Sequence, residues 1–395
     1  MKLATPFLML ALPCFSAAQT VLVVDKDGGG DFTETLAASL AAPDGALLLV
    51  REGKYGSVVI DGKSLTIVAE AGEEVSLGSV TVHNLAADQH FTCVNIELDP
   101  PPATVGAMGF SNNQGNVWFE NLVLPPTTFN PILSGPFVSI TDCASLVFLS
   151  CSFASGFGMT LGQEPVTIGA FNSNLYLYNT SVEGGQRPFA GGDGAAAILF
   201  SGFLFSANSS IRGGDGLDGS CDGGDGGPGL GSPFLANANA ALFGTGLGGG
   251  SAGAAGDPKC LPGQPGAPSS IQNGSVLQAP LSPRSFEIPQ PLRAGTMGSA
   301  SFQGPANETA WFLYGEDPFS LFLPSVSCSL LVAPPLFFEA AGNLDGSGNL
   351  TYSFPLPNLP VDADALVWRL QSLFLGTEGF VLGPASSLIV LRQGL

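Results

Sequence analysis

The chain has 395 residues, only 11% of them charged, and its 32 acids against 12 bases leave a formal net charge of −20. That charge content is well under the roughly 25% of an average soluble domain, yet no uncharged apolar run of about 18 or more residues follows the N-terminus, so no transmembrane segment is expected. An acidic surface repels polyanions, which argues against nucleic-acid binding and counts mildly against a polyuronate substrate.

In chain order, Lys2, the apolar stretch Leu3 to Phe15 and the small residues Ser16, Ala17 and Ala18 read as a signal peptide over 1–18, cut ahead of Gln19. Pro13 before Cys14 argues against a lipid anchor. Secretion would permit disulfides among the remaining cysteines, Cys93, Cys143, Cys151, Cys221, Cys260 and Cys328. Val21 to Asp25 reads as a strand, Gly28 to Phe32 as a turn, and Thr33 to Ala42 as a short helix capping the open end of a solenoid. Asp44-Gly45 ends that helix, and Ala46 to Arg51, Ser57 to Asp61 and Leu65 to Glu70 follow as three strands.

A pattern then recurs: apolar, any, apolar, any, then Asn or a small residue. It occupies Leu65 to Ala69, Phe91 to Asn95, Val117 to Asn121, Leu146 to Ser150, Leu175 to Asn179 and Leu204 to Asn208, and the fifth positions step by 26, 26, 29, 29 and 29 residues. Period-two alternation is a strand signature. A unit this short cannot bury its apolar face alone, so the units must stack. The first and third positions are expected to stack inward. Asn at the fifth tolerates bend geometry, and its amides can bond along the stack. Leucine-rich repeats share the period but need a longer Leu framework, which is missing.

The opening segment, with its "DGGGDF" turn, capping helix and "LLLVREGKYGSVVI", resembles the N-termini of pectin-lyase-like proteins, including pectin methylesterases. The resemblance implies an all-β fold, a right-handed parallel β-helix over 19–282. Residues 213–267, dominated by Gly, Asp, Ala and Pro, are either long loops or late coils of poor pattern. From about Ser285 short strands alternate with Gly/Pro turns, which suits a small antiparallel β-sandwich over 285–395. That segment resembles the small C-terminal domains of many secreted bacterial repeat proteins.

The chemistry of the resembling families is not matched. Pectin methylesterases work with paired Asp residues, and Asp142 meets Asn113 and Phe171 where its partner should stand. The Gly-His-Gly and Arg-Ile-Lys of polygalacturonases are absent, and His83 and His90 read as surface or turn residues. A β-elimination lyase needs a basic residue and often Ca2+. Arg187 and Arg212 are the weak candidates, alongside Asp142 as another catalytic candidate. Asp215, Asp218, Asp222 and Asp225, on a flexible Gly-rich backbone, are a candidate Ca2+ site. Cys221 and Cys260 bracket the same stretch. A disulfide there would close a loop of about 40 residues, worth roughly 4 kcal/mol by loop entropy. Trp118, Tyr176 and Tyr178, at outward positions of the repeat, could stack sugar rings. The expectation is a secreted or cell-surface repeat protein, non-catalytic, with a structural or glycan-binding role. Its partner would be an extracellular polysaccharide or a cell-surface component. A polysaccharide lyase and an adhesin are the alternatives.

Overall fold

A computed structural model describes residues 19–100, 106–126, 136–154, 166–187, 191–233, 236–324, 328–377 and 379–395. The signal-peptide reading of 1–18 lies outside these residues. Among the described residues no helix is long and apolar enough to cross a membrane. Strands from Val21–Val24 to Gly274–Ala279 join one 22-stranded sheet. Each pairs in parallel with the equivalent strand one repeat later, in three ladders. The helix Thr35–Ala41 closes the first repeat, with Ala38 against the core.

The first ladder realises the expected alternation. Leu65, Phe91, Val117, Leu146, Leu175 and Leu204 stand in register as one inward column. Ile67, Cys93, Phe119, Phe148, Leu177 and Ser206 form the next, and every one is buried. Phenyl rings stack from repeat to repeat, Phe119 against Phe148 at 5.4 Å. Each such burial contributes roughly 2–3 kcal/mol. The one polar intruder, Ser206, shares a hydrogen bond with Thr245 at 3.0 Å.

From the second copy on, the fifth positions are bends; the first, Ala69, ends its strand without one. Asn95, Asn121, Ser150, Asn179 and Asn208 all have φ between 49° and 59°, and Gly244 continues the column at +59°. Asn tolerates this left-handed region better than most residues. Asn121 Nδ2 donates to Asn95 Oδ1 at 2.9 Å, one rung of the expected amide ladder; Asn95 and Asn208 instead donate to the backbone oxygens of Gln290 and Arg284. A second bend column follows the second ladder at Asn84, Asn112, Asp142 and Asn172, with φ between 50° and 57°. The third corner, between the third and second ladders, absorbs the differences in repeat length.

Within 213–267, Leu230–Gly231, Ala238–Phe243 and Gly246–Gly248 are ladder strands of a late coil, and at that corner residues 213–229 and 249–267 are not free loops. Extended segments lie side by side, tied by backbone bonds at every third residue. Gly213, Gly216 and Gly219 donate to the oxygens of Gly248, Ser251 and Ala254, and Gly223, Gly226 and Gly229 to those of Leu261, Gln264 and Ala267, at 2.8–3.2 Å. Gly250 and Gly253 donate back to Gly227 and Gly224. Three residues per turn is the polyproline II repeat, and glycine at every third position lets backbones touch, as at the collagen axis. The Cys221–Cys260 disulfide ties two of these segments. Cys93, Cys143, Cys151 and Cys328 are free and buried, and burial pushes the Cys151 thiol up to about 12, so it is inert.

Beyond Ser285 the sheets are separate. A three-stranded antiparallel sheet and a five-stranded mixed sheet enclose one core that includes Phe286, Phe302, Phe312, Trp368 and Phe374. The hairpin Pro318–Leu323 with Cys328–Val332 pairs only with itself, but Gln371 of the five-stranded sheet bonds to Leu331 N and Ser329 O. Ala365–Gly376 with Gly379–Leu391 forms a long antiparallel ribbon, longer than the short strands expected of this region. The edge strand Phe337–Asn343 was not foreseen.

Candidate functional site

The outward side of the first ladder carries the proposed sugar platform. Its two columns run Thr66, Thr92, Trp118, Val147, Tyr176, Phe205 and Val68, Val94, Glu120, Leu149, Tyr178, Ala207, in the expected register. They are not open, however. Trp118, Tyr176 and Tyr178 are buried beneath the C-terminal sheets, so the glycan-platform expectation is corrected: the aromatic faces are already occupied. Phe322 of the hairpin packs on Phe203 and Phe205 at 5.3 and 5.5 Å. Tyr178 donates its hydroxyl to Ser329 O at 3.1 Å. Farther toward the helix cap, Val367, Ile389 and Leu391 cover Leu47, Leu49, Val68 and Val94.

Two charges are sealed into this seam. Arg369 lies over the Trp118 ring at 5.4 Å, donates to Thr92 Oγ1, and reaches Ser387 Oγ at 3.2 Å. Glu120 accepts from Ser386 Oγ and from Ser387 N at 2.8 Å. Burial raises the Glu120 carboxyl above its usual range, with the serine bonds and Arg369 pulling only part of the way back. Burial likewise lowers Arg369 to about 10 against the pull of Glu120. His90, one residue from the ladder start, is driven down to about 4 by burial and by Arg369.

That histidine has a pH signature. Folded, it stays neutral down to about pH 4, whereas the unfolded chain protonates it near 6.5. Below 6.5 the unfolded state binds the extra proton, so stability falls with pH through that window, by at most roughly 3 kcal/mol. His90→Gln is expected to lose this slope. Denaturant midpoints of both proteins across the window check it, and parallel curves would rule it out.

The candidate catalytic residues are engaged in holding the chain. Asp142 sits in the second bend column at φ 54° and accepts from Asn172 Nδ2 at 2.6 Å. Arg212 bonds Glu183 at 3.1 Å, Asp215, and Ser251 Oγ at 3.2 Å. Arg187 contacts Asp193 at 3.5 Å. Both guanidiniums are engaged by carboxylates, so neither arginine is set up as a base. The four aspartates do not converge on one point. Each accepts a backbone N–H of the neighbouring segment: Asp215 from Ser251, Asp218 from Ala254, Asp222 from Leu261 and Asp225 from Gln264, at 2.6–2.9 Å. Burial works to raise Asp215, but the Ser251 N–H and Arg212 outweigh it and hold its carboxyl low. Among the described residues the one grouping of potential ligand atoms is Cys221, Asp222 and Cys260, and its sulfurs are joined in the disulfide.

Two arrangements escaped the sequence. Asp61, His83 and Ser111 stand in register on consecutive repeats of the second ladder. His83 Nδ1 lies 2.6 Å from Ser111 Oγ. Asp61, however, accepts from Asn84 at 2.7 Å, so the bond that orients a catalytic base is taken by a bend residue. The second is an open groove of about 570 Å3 lined by Glu52, Glu73, Glu74, Glu97, Lys54 and Asn95. Lys54 is held by Asp99 at 2.7 Å, which leaves the groove acidic and hostile to polyanions. Neither shows without the register, because the partners lie a full repeat apart. No family model matches the chain, and no curated protein and no solved structure matches it either.

Proposed function

We propose that this chain is a secreted, non-catalytic structural protein, whose parallel body is a right-handed β-helix of the pectin-lyase-like kind and whose C-terminal sheets form a β-sandwich laid along it. The observation that carries the reading is the use of the outward aromatic face. A sugar platform needs that face open; here it meets the chain's own Phe322, Leu331 and Ala385. The polar residues offered for chemistry support the same reading, since Asp142, Arg212 and the four aspartates hold bends and segments together. The Cys221–Cys260 bridge fits an oxidising, extracellular setting.

The test is a panel of extracellular polysaccharides incubated with the mature chain, with calcium and with chelator. New reducing or unsaturated ends and retained protein are both scored. We expect no new ends in either buffer. Trp118→Ala is expected to lower the unfolding midpoint while leaving any glycan retention unchanged. Ends released by the wild type and lost in Arg212→Ala would establish a lyase and end the structural reading.

A further inference from the structure

We propose that the last repeat of the parallel body binds a second copy of this chain, strand edge to strand edge across a two-fold axis. Strand Gly274–Ala279 pairs on one side with Ala238–Phe243, and Ser269–Ser270 with Leu230–Gly231. Among the described residues no strand covers their other edges. The outward column that the C-terminal sheets cover at Ala241, 3% exposed, is left open at Leu277 one repeat later, 54% exposed. An open edge with an apolar residue at its centre is a pairing site unless something blunts it. Proteins blunt such edges with charge, proline or very short strands; Ser269–Ser270 is short and Pro268 precedes it, but Gly274–Ala279 itself carries neither charge nor proline. Residues 260–283, the whole circumference of the last repeat, contain no Asp, Glu, Lys or Arg.

That absence selects the partner. Two copies of a chain with net charge −20 repel each other over most of their surfaces. The charge-free last repeat is where they can approach without juxtaposing like charges. Symmetry then sets the stoichiometry. Among the described residues the opposite end of the body is covered by the helix Thr35–Ala41 and by Phe32 bridging Val24, which leaves no open strand there for head-to-tail growth. Two identical edges can meet only antiparallel, about a two-fold axis, which closes at a dimer. The six-residue strand has no internal proline, and Val276 and Leu277 stand at its middle, where a symmetric pairing brings the two copies' residues together.

A rival surface exists on the five-stranded C-terminal sheet, where Phe380 on the strand Gly379–Leu391 is 59% exposed. The experiment separates the two. Sedimentation equilibrium is run on the full chain, on Leu277→Glu and on Phe380→Glu, with unfolding midpoints measured alongside. The expected result is a dimer for the wild type and for Phe380→Glu, and a monomer for Leu277→Glu at an unchanged midpoint. Small-angle scattering of the wild-type dimer should give a maximum dimension close to twice that of the monomeric variant. A wild type that stays monomeric, a Leu277→Glu dimer, dissociation by Phe380→Glu, or a dimer no longer than the monomer would each overturn the proposal.

Discussion

Gly250→Ala is expected to cost about 4 kcal/mol, a loss outside the ordinary range for adding one methyl group. An ideal Cβ there would lie 1.8 Å from Gly214 O and 2.4 Å from its carbonyl carbon. Neither atom belongs to a side chain that could swing away. The segment must move, and moving it stretches the bonds that Gly250 and Gly253 donate to Gly227 and Gly224. Overpacking and broken hydrogen bonds therefore add. Gly248 supplies the control, because a Cβ on it meets nothing within 4 Å and its φ is not positive. Gly248→Ala should be neutral or slightly stabilising, since alanine narrows the unfolded ensemble. Urea unfolding of the two variants checks the contrast. Equal midpoints would mean that the glycine segments are not close-packed.

The second large effect is expected at the seam. Arg369→Leu should destabilise by about 4 kcal/mol, because it leaves the Glu120 carboxylate sealed from water without a counter-charge. The loss belongs to the stranded partner and not to a missing attraction, and that distinction is measurable. Adding Glu120→Gln to the Arg369→Leu protein should restore more than half of the loss. The sign of the pH response follows as well. Burial raises the Glu120 carboxyl in the folded state, so between its unfolded and folded values the folded chain binds the proton more readily than the unfolded one. Stability then falls as pH rises, and the Arg369→Leu deficit should shrink on acidification. Additive single-variant losses with no pH dependence would contradict this account.

Local physics was legible in the sequence; docking was not. The inward columns followed from alternation alone, because Leu65, Phe91 and Val117 must share a face whatever else the chain does. The first bend column followed from Asn at a fixed place after each strand. The second was equally visible, at Asn84, Asn112, Asp142 and Asn172 in steps of 28, 30 and 30, but its flanking strands are short and carry Gly and Ser. The disulfide could be guessed because Cys221 and Cys260 bracket a segment with no apolar pattern. That same lack of pattern hid the segment's order, which comes from backbone meeting backbone. It also made Asp215 and Asp218 read as free ligands when a neighbouring N–H takes each of them. Whether Trp118 faced water or protein depended on Arg369, some 250 positions away, and no spacing rule spans that distance.

The ribbon Ala365–Gly376 with Gly379–Leu391 has a mechanical meaning of its own. A stack of repeats held by nearest-neighbour contacts can unzip from either end, one layer at a time. The ribbon lies across the layers. Ala365 bridges to Gln19 at the first repeat, Arg369 grips Thr92 and Trp118, and Ala385 rests in the cluster that holds Tyr178 and Phe243. Peeling the first layer must therefore tear the ribbon from layers several repeats deep. It works as a splint, and it turns a column that would fray into one that has to shear along its whole splinted length before any part comes loose.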